Sequence, residues 1–368
     1  MQAMSHLRSI LTTALSGALG FGALYLTGGT NAQDAASKPL PSPTATPLVI
    51  DDDDIVKIDT NVVNVLFTVQ DKNRRMVTDL KESEVQVLEN GQVQEISAFA
   101  KQVDLPLSLA ILIDTSLSQE QTLPDEKSAA ISFLESVVRP SKDEVAVVSF
   151  TGDSTLEQGM TNNITRLRRA IDRVQFVAPS NYIGGGVVAN GGGIPGTPPL
   201  SGDNQMRAAA TALWDAIWVT SEEILGPAPE KTRRAIILLT DGDDTFSRKR
   251  LDDAVNAANK AEAIIYSIGI GGGYRYSVDK GALTKVSERT GGRAYFPRDE
   301  RELRDAFRQI EEDMRSQYLV AYEPSNQKRD GSYRTINVKI TNPQREKIKV
   351  THRQGYFAEN EGTPAPKK

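Results

Sequence analysis

Between residues 104 and 314 the chain alternates short runs that are apolar at every position with longer segments of helical periodicity, and no other feature narrows its fold as much. The runs are Leu107 to Ile113, Val145 to Phe150, Ala235 to Leu239 and Ile264 to Ile268, with a short Ala294 to Phe296 near the end. A strand that is apolar throughout is buried on both faces, the condition of a parallel sheet covered by helices. Helices are expected over Pro124 to Val138, Ile164 to Val174, Gln205 to Ile224, Leu251 to Ala261, Val278 to Thr290 and Glu300 to Met314. The first places Ala130, Phe133, Leu134 and Val137 on one stripe, carries Asp125 and Glu126 where the helix dipole favours anions, and stops at Pro140. The fold class is therefore α/β, a doubly wound and mostly parallel sheet over 104–314.

The flanks read differently. In 55–103, Val63, Val65, Phe67 and Val69 alternate on one face, and Glu84 to Leu88 connects to Val93 to Phe99 through Asn90-Gly91, a strong hairpin signal. Residues 315–358 alternate in the same way at Gln317 to Tyr322, at Ile336, Val338 and Ile340, and at Ile348, Val350 and His352. Neither flank has enough strands for a core of its own, so one discontinuous β-sandwich is expected from both ends, two separate β modules being the alternative. Residues 359–368 read as a disordered tail.

The N-terminus reads as a signal peptide over 1–32. Arg8 precedes an apolar run from Ser9 to Gly29, and Thr30-Asn31-Ala32 offers a cleavage site. Such a segment sends the rest to a secreted or periplasmic location, and membrane anchoring enters only if the segment stays uncleaved. Residues 33–54, with Pro39, Pro41, Pro43, Pro47 and the run Asp51 to Asp54, read as a disordered solvated linker. Composition excludes several functions. With 43 Lys+Arg against 48 Asp+Glu and a net charge of −5, nothing is set up to neutralise nucleic acid. No cysteine and only two histidines leave no disulfide, thiolate nucleophile, Cys-ligated zinc or His-rich metal site.

In a doubly wound sheet ligands bind beyond the carboxyl ends of the strands. The first strand ends in Asp114-Thr115-Ser116-Leu117-Ser118, and in an extended loop Asp114, Ser116 and Ser118 point the same way. The strand Ala235 to Leu239 ends in Thr240-Asp241-Gly242, with Asp241 at the same edge and Gly242 permitting a tight turn. These donors are all oxygens, which suits a hard divalent cation, Mg²⁺ first, with Mn²⁺ or Ca²⁺ possible.

On these residues the chain resembles the von Willebrand factor type A (VWA) family, whose metal-ion-dependent adhesion site (MIDAS) is written Asp-x-Ser-x-Ser, a distant Thr and a distant Asp. The match falls on Asp114, Ser116, Ser118 and Asp241. The family's Gly-Gly-Thr-Ala-Leu appears here as Ala209-Ala210-Thr211-Ala212-Leu213, which assigns Thr211; Thr197 and Thr220 lack that context. The hairpin Glu84 to Phe99 and the ending Arg353-Gln354-Gly355-Tyr356-Phe357 look like secreted bacterial VWFA-related proteins. The resemblance implies a binding protein, not an enzyme, in which the cation captures an Asp or Glu carboxylate of a protein partner. A metal-independent structural component of the cell envelope is the alternative. The Gly- and Pro-rich stretch Pro179 to Asn204 is either a specificity loop or a floppy insertion.

Catalytic readings lack parts. Gly152-Asp153-Ser154-Thr155-Leu156 resembles the nucleophile block of a serine esterase, but a base is needed, and outside the signal segment the one histidine is His352, preceded three residues earlier by Lys349 rather than Asp. The Gly269 to Gly273 run does not open directly on a helix, so a turn is the simpler reading than a nucleotide site. Trp214 and Trp218 are expected in the core, and Asp243 and Asp244 as turn or helix-cap residues.

Overall fold

The computed structural model describes residues 62–101, 105–176, 182–183, 187–188, 210–229, 232–271, 277–345 and 347–360. The signal segment, the linker with Asp51 to Asp54 and nearly all of the Gly-rich stretch lie outside them. Strands β1 (Val63–Gln70), β2 (Val85–Glu89), β3 (Gln92–Gln94) and β4 (Ile96–Lys101) precede the central sheet. Its strands are β5 (Leu107–Asp114), β6 (Glu144–Phe150), β7 (Ser154–Thr161), β10 (Arg233–Thr240), β11 (Ala263–Gly269) and β12 (Ala294–Tyr295), while β8 (Tyr182–Ile183) and β9 (Val187–Val188) pair, among the described residues, with each other. The chain closes with β13 (Tyr318–Tyr322), β14 (Tyr333–Ile340), β15 (Lys349–His352) and β16 (Gly355–Phe357).

The central sheet runs β12-β11-β10-β5-β6-β7, parallel except for the last strand. Every residue of β5 is buried, as its unbroken apolar run requires. One face packs Ile111, Val147, Ile237 and Tyr266 beneath α1 (Leu123–Val137), α2 (Ile164–Arg173) and α6 (Glu300–Arg315). The other packs Leu112, Val148, Ile236 and Ile265 beneath α3 (Leu213–Val219), α4 (Leu251–Lys260) and α5 (Lys280–Thr290). The Phe133 and Phe307 rings, 4.9 Å apart, tie α1 to α6 and are worth about 0.5–1.5 kcal/mol beyond their burial. The expected Gln205 to Ile224 helix is shorter at its start: residues 210–212 are non-helical, α3 begins at Leu213, and a π-helical turn covers Thr220–Leu225. The edge strand β7 has no counterpart in the sequence reading, because its residues are polar or half-exposed and carry no apolar run.

Two four-stranded antiparallel sheets, β15-β1-β13-β4 and β16-β14-β2-β3, flank this domain, and each combines strands from both ends of the chain. A single apolar cluster joins them, with Val65, Phe67, Tyr318 and Val320 from one sheet against Val87, Ile336 and Val338 from the other. The strand read as Val93 to Phe99 is two strands. β3 pairs with β2 after the Asn90-Gly91 turn, both residues at positive φ, and β4 crosses to pair with β13 in the other sheet. No Gly or Pro interrupts residues 92–99, so nothing local in the sequence marks the crossing. At the join with the α/β domain, Arg293 pairs with the buried Asp313 of α6 at 3.1 Å and donates to Thr68 Oγ1 of β1 at 2.9 Å. Asn360 still bridges to Asp330, inside the stretch expected to be a free tail. Among the described residues no helix is long and apolar enough to cross a membrane.

Candidate metal centre

β5 is followed in the chain by β6 on one side of it, whereas β10 lies on its other side, so the strand order reverses between β5 and β10. A crevice forms at the carboxyl ends of such a pair. Asp114 is the last residue of β5 and Asp241 the first after β10. Thr240 Oγ1 spans the crevice to Asp114 Oδ2 at 2.6 Å, and the Ser116 amide donates to Asp114 Oδ1 at 2.9 Å. The Ser116 and Ser118 hydroxyls lie 3.1 Å apart, and Ser118 also bonds the Asp241 carboxylate. Gly242, at φ +85°, turns the chain sharply enough for its amide to reach Thr240 Oγ1 (3.1 Å), and Asp241 Oδ1 receives the Asp243 amide at 3.1 Å. Four of the five predicted residues thus share one hydrogen-bonded cluster.

Thr211 is anchored at the same edge by its backbone. Its amide donates to Thr245 Oγ1 (2.9 Å), its carbonyl accepts from the amides of Thr245 (2.9 Å) and Phe246 (3.0 Å), and the next amide, of Ala212, donates to Thr151 O. Thr151 follows β6, whose last carbonyl, of Phe150, accepts both the amide and the hydroxyl of Thr115. None of these bonds uses the Thr211 hydroxyl. The helix behind it is capped from a distance: Asp244 Oδ1 accepts from Leu213 N at 2.9 Å, and Ser247 Oγ accepts from Trp214 N at 2.9 Å. Asp244 is a cap, as expected, but of a helix that precedes it in the chain.

The electrostatics fit a cation. Asp114 is fully buried, and burial pushes its carboxyl up to about 7 against the opposing bonds from Ser116 and Thr240. Burial also raises Asp241, with Ser118 acting against it. Among the described residues no Lys or Arg is paired with either carboxylate. Two buried carboxyl groups with no counter-ion among the described residues, beside neutral hydroxyls, form a donor set that a hard divalent ion satisfies. Among the described residues no three His, Cys, Asp or Glu side chains converge as a ligand cluster, so hydroxyls must supply the remaining coordination.

Sequence reasoning missed three residues here. Thr240 was passed over as a strand end. Gln119 holds the loop from beneath, donating from Nε2 to Ile270 O at 3.2 Å. Glu126, expected in the first turn of α1 where the helix dipole favours anions, is fully buried. Its spacing of four and seven residues from Ala130 and Phe133 was the available signal, because it places an acid on the apolar stripe.

The esterase parts lie on different sheets. Ser154 is exposed and opens the antiparallel edge strand β7, not the strand-to-helix turn of a nucleophile. His352 lies in β15 with both ring nitrogens engaged: Nε2 accepts from Val338 N at 3.2 Å, and Nδ1 donates to Arg353 O at 2.7 Å. Trp214 is buried in the core, whereas Trp218 is only half-buried, with Lys249 Nζ 4.3 Å from its ring centroid. Among the described residues the next helix after Gly269 begins at Lys280, and residues 272–276 lie outside those described.

A doubly wound sheet with Asp-x-Ser-x-Ser at its switch point defines a ligand-binding α/β domain with an oxygen-donor edge. Two family models, both described as von Willebrand factor type A domain, match residues 109–190 and 201–309. The chain carries a VWA domain and belongs to that family. Similar solved structures include proximal thread matrix protein 1 from the mussel byssus, at 16% identity and a TM-score of 0.44, covering 62% of this chain and 51% of that one. BatB from Bacteroides thetaiotaomicron is similar at 15% identity and a TM-score of 0.40, covering 58% and 100%. A further structure of the mussel protein, described with a zinc-occupied MIDAS motif, matches at 16% and 0.43, covering 61% and 49%. This chain spans about half the length of the mussel protein. No curated protein matches the chain.

Proposed function

We propose that this is a secreted or periplasmic binding protein whose VWA domain holds a divalent cation, Mg²⁺ by preference, on Asp114, Ser116, Ser118, Thr211 and Asp241, and through it captures an Asp or Glu side chain of a protein partner. The observation that carries the reading is the pair of buried carboxylates, Asp114 and Asp241, brought to one crevice with the Ser116 and Ser118 hydroxyls and no basic partner among the described residues. Two negative charges neutralise a divalent ion, and five donors at most leave a near-octahedral ion short of ligands. When bound, the ion supplies a Lewis-acidic position that an incoming carboxylate can fill. The protein's own residues fix that position: Thr240 and the Ser116 amide orient Asp114, and the Thr245 loop holds Thr211. With Ser154 and His352 on separate sheets, binding rather than hydrolysis is the activity supported.

The test is capture of immobilised Glu- and Asp-containing peptides by the full chain in Mg²⁺, in EDTA, and with Asp241→Ala. Capture that needs Mg²⁺ and Asp241 supports the reading. Partner binding indifferent to EDTA would favour a metal-independent envelope component instead.

A further inference from the structure

Two carboxylates in the described residues are buried with neither oxygen in a hydrogen bond, Asp313 and Glu126. Asp313 is answered by the Arg293 guanidinium at 3.1 Å. Glu126 has no such answer. It sits in the first turn of α1, with no measurable exposure and no Lys or Arg paired with it among the described residues. The neighbouring Thr122 hydroxyl donates to Gln119 Oε1 at 2.9 Å, and Gln119 in turn reaches Ser118 Oγ with its Nε2 at 3.4 Å. A short polar path therefore links the Ser118 edge of the crevice to the Glu126 turn, whose amide bonds Thr122 O. Both Asp114 and Asp241 are close enough for their charges to press on Glu126. A buried carboxylate without a counter-ion is costly, and a group so placed meets the cost by taking up either a proton or a cation.

Resting on the reading of the crevice as a cation site, we propose that Glu126 is a third carboxylate of that centre, acting on the ion through a bound water rather than as a direct ligand. No three His, Cys, Asp or Glu side chains converge among the described residues, so Glu126 is not assigned as a direct ligand. Water between a cation and a carboxylate satisfies both, donating to the carboxylate while its oxygen faces the ion. The arrangement favours a cation that retains its waters, Mg²⁺ or Mn²⁺, over the larger and more readily dehydrated Ca²⁺. Burial pushes Glu126 up to about 8, with Asp114 and Asp241 adding to the effect and Thr122 opposing it.

Calorimetric titration of the metal-stripped full chain with Mn²⁺ and Ca²⁺, alongside Glu126→Gln, Glu126→Met and Asp241→Ala, tests this. Thermal unfolding in EDTA is recorded for each. Both Glu126 variants should melt in EDTA at or above the wild-type temperature, bind Mn²⁺ about 10–100-fold more weakly, and lose the preference for Mn²⁺ over Ca²⁺. Wild-type affinity and ion preference in folded Glu126→Gln and Glu126→Met would overturn the proposal. So would collapse of both variants in EDTA, which would make Glu126 a packing residue. If the wild type itself takes up no ion, the cation site fails and this inference with it. If the wild type binds, Asp241→Ala does not, and the Glu126 variants match the wild type, only this inference fails.

Discussion

The Thr240 hydroxyl sits 2.6 Å from Asp114 Oδ2 and 3.1 Å from the Gly242 amide, so one side chain at the end of β10 both orients the aspartate at the end of β5 and shapes the turn that carries Asp241. The hydroxyl donates to the first and accepts from the second. Thr240→Val keeps the volume and removes both bonds inside a site with no exposure at Thr240 or Asp114. The expected loss is about 1–3 kcal/mol of stability in EDTA, from stranding buried groups, with weaker Mg²⁺ binding. Thr240→Ser should recover most of each. Urea unfolding and calorimetry of the two variants check this, and equal behaviour of Val and Ser would remove Thr240 from the account.

Asp244 acts through a helix it does not precede. Replacing it with Ala frees the amide of Leu213 at the start of α3, while Trp214 N keeps Ser247 Oγ as its acceptor, a capping loss of about 0.5–2 kcal/mol. Because Thr211 lies two residues before that helix, cation affinity should fall as well, while Asp244→Asn, which keeps the acceptor, should retain most of both. Denaturant midpoints with and without Mg²⁺ separate the two effects.

Gly242 stands at φ +85°, and a Cβ there would meet Leu283 Cγ at 2.8 Å and Asp279 O at 3.2 Å. Gly242→Ala therefore combines a left-handed backbone with a steric conflict against α5. It should cost more than the roughly 1 kcal/mol of the backbone term alone and displace Asp241. Thermal unfolding in EDTA reads the first effect and Mg²⁺ titration the second.

Much of this arrangement was legible in the sequence because its determinants are local. The apolar runs of β5 and β10 define strands buried on both faces, and Asp114, Ser116, Ser118 and Asp241 follow those runs directly, so locating the strands located the candidate ligands. Thr211 came from its neighbours Ala212 and Leu213 through family resemblance. What could not be read depends on distant partners. Thr240 meets Asp114 across 126 residues, Asp244 meets Leu213 across 31, and neither spacing leaves a periodic trace. The β3 to β4 crossing at Glu95 has no Gly or Pro to mark it, and β7 lacks an apolar run because it is a solvent-facing edge.

His352 offers a pH test of the sandwich. Burial lowers its pKa below the ordinary 6.5, and its Nε2 is already an acceptor for Val338 N. Below pH 6.5 the unfolded chain binds a proton that the folded chain resists, so the unfolded state holds more protons and stability falls with acid. Above that value His352 contributes no slope. His352→Gln should flatten this part of the profile between pH 5 and 7, measured by urea unfolding. A folded-state titration of His352 by NMR at or above 6.5 would contradict the burial argument.

The central claim is that Asp114, Ser116, Ser118, Thr211 and Asp241 hold one divalent ion at the β5/β10 crevice. The most direct measurement is anomalous diffraction at the manganese edge from crystals of the full chain soaked in Mn²⁺. The account predicts a peak in contact with the Ser116 and Ser118 hydroxyls and beside both aspartates, absent from Asp241→Ala crystals. A difference map with no peak there at saturating Mn²⁺, in crystals that preserve the crevice, would contradict it.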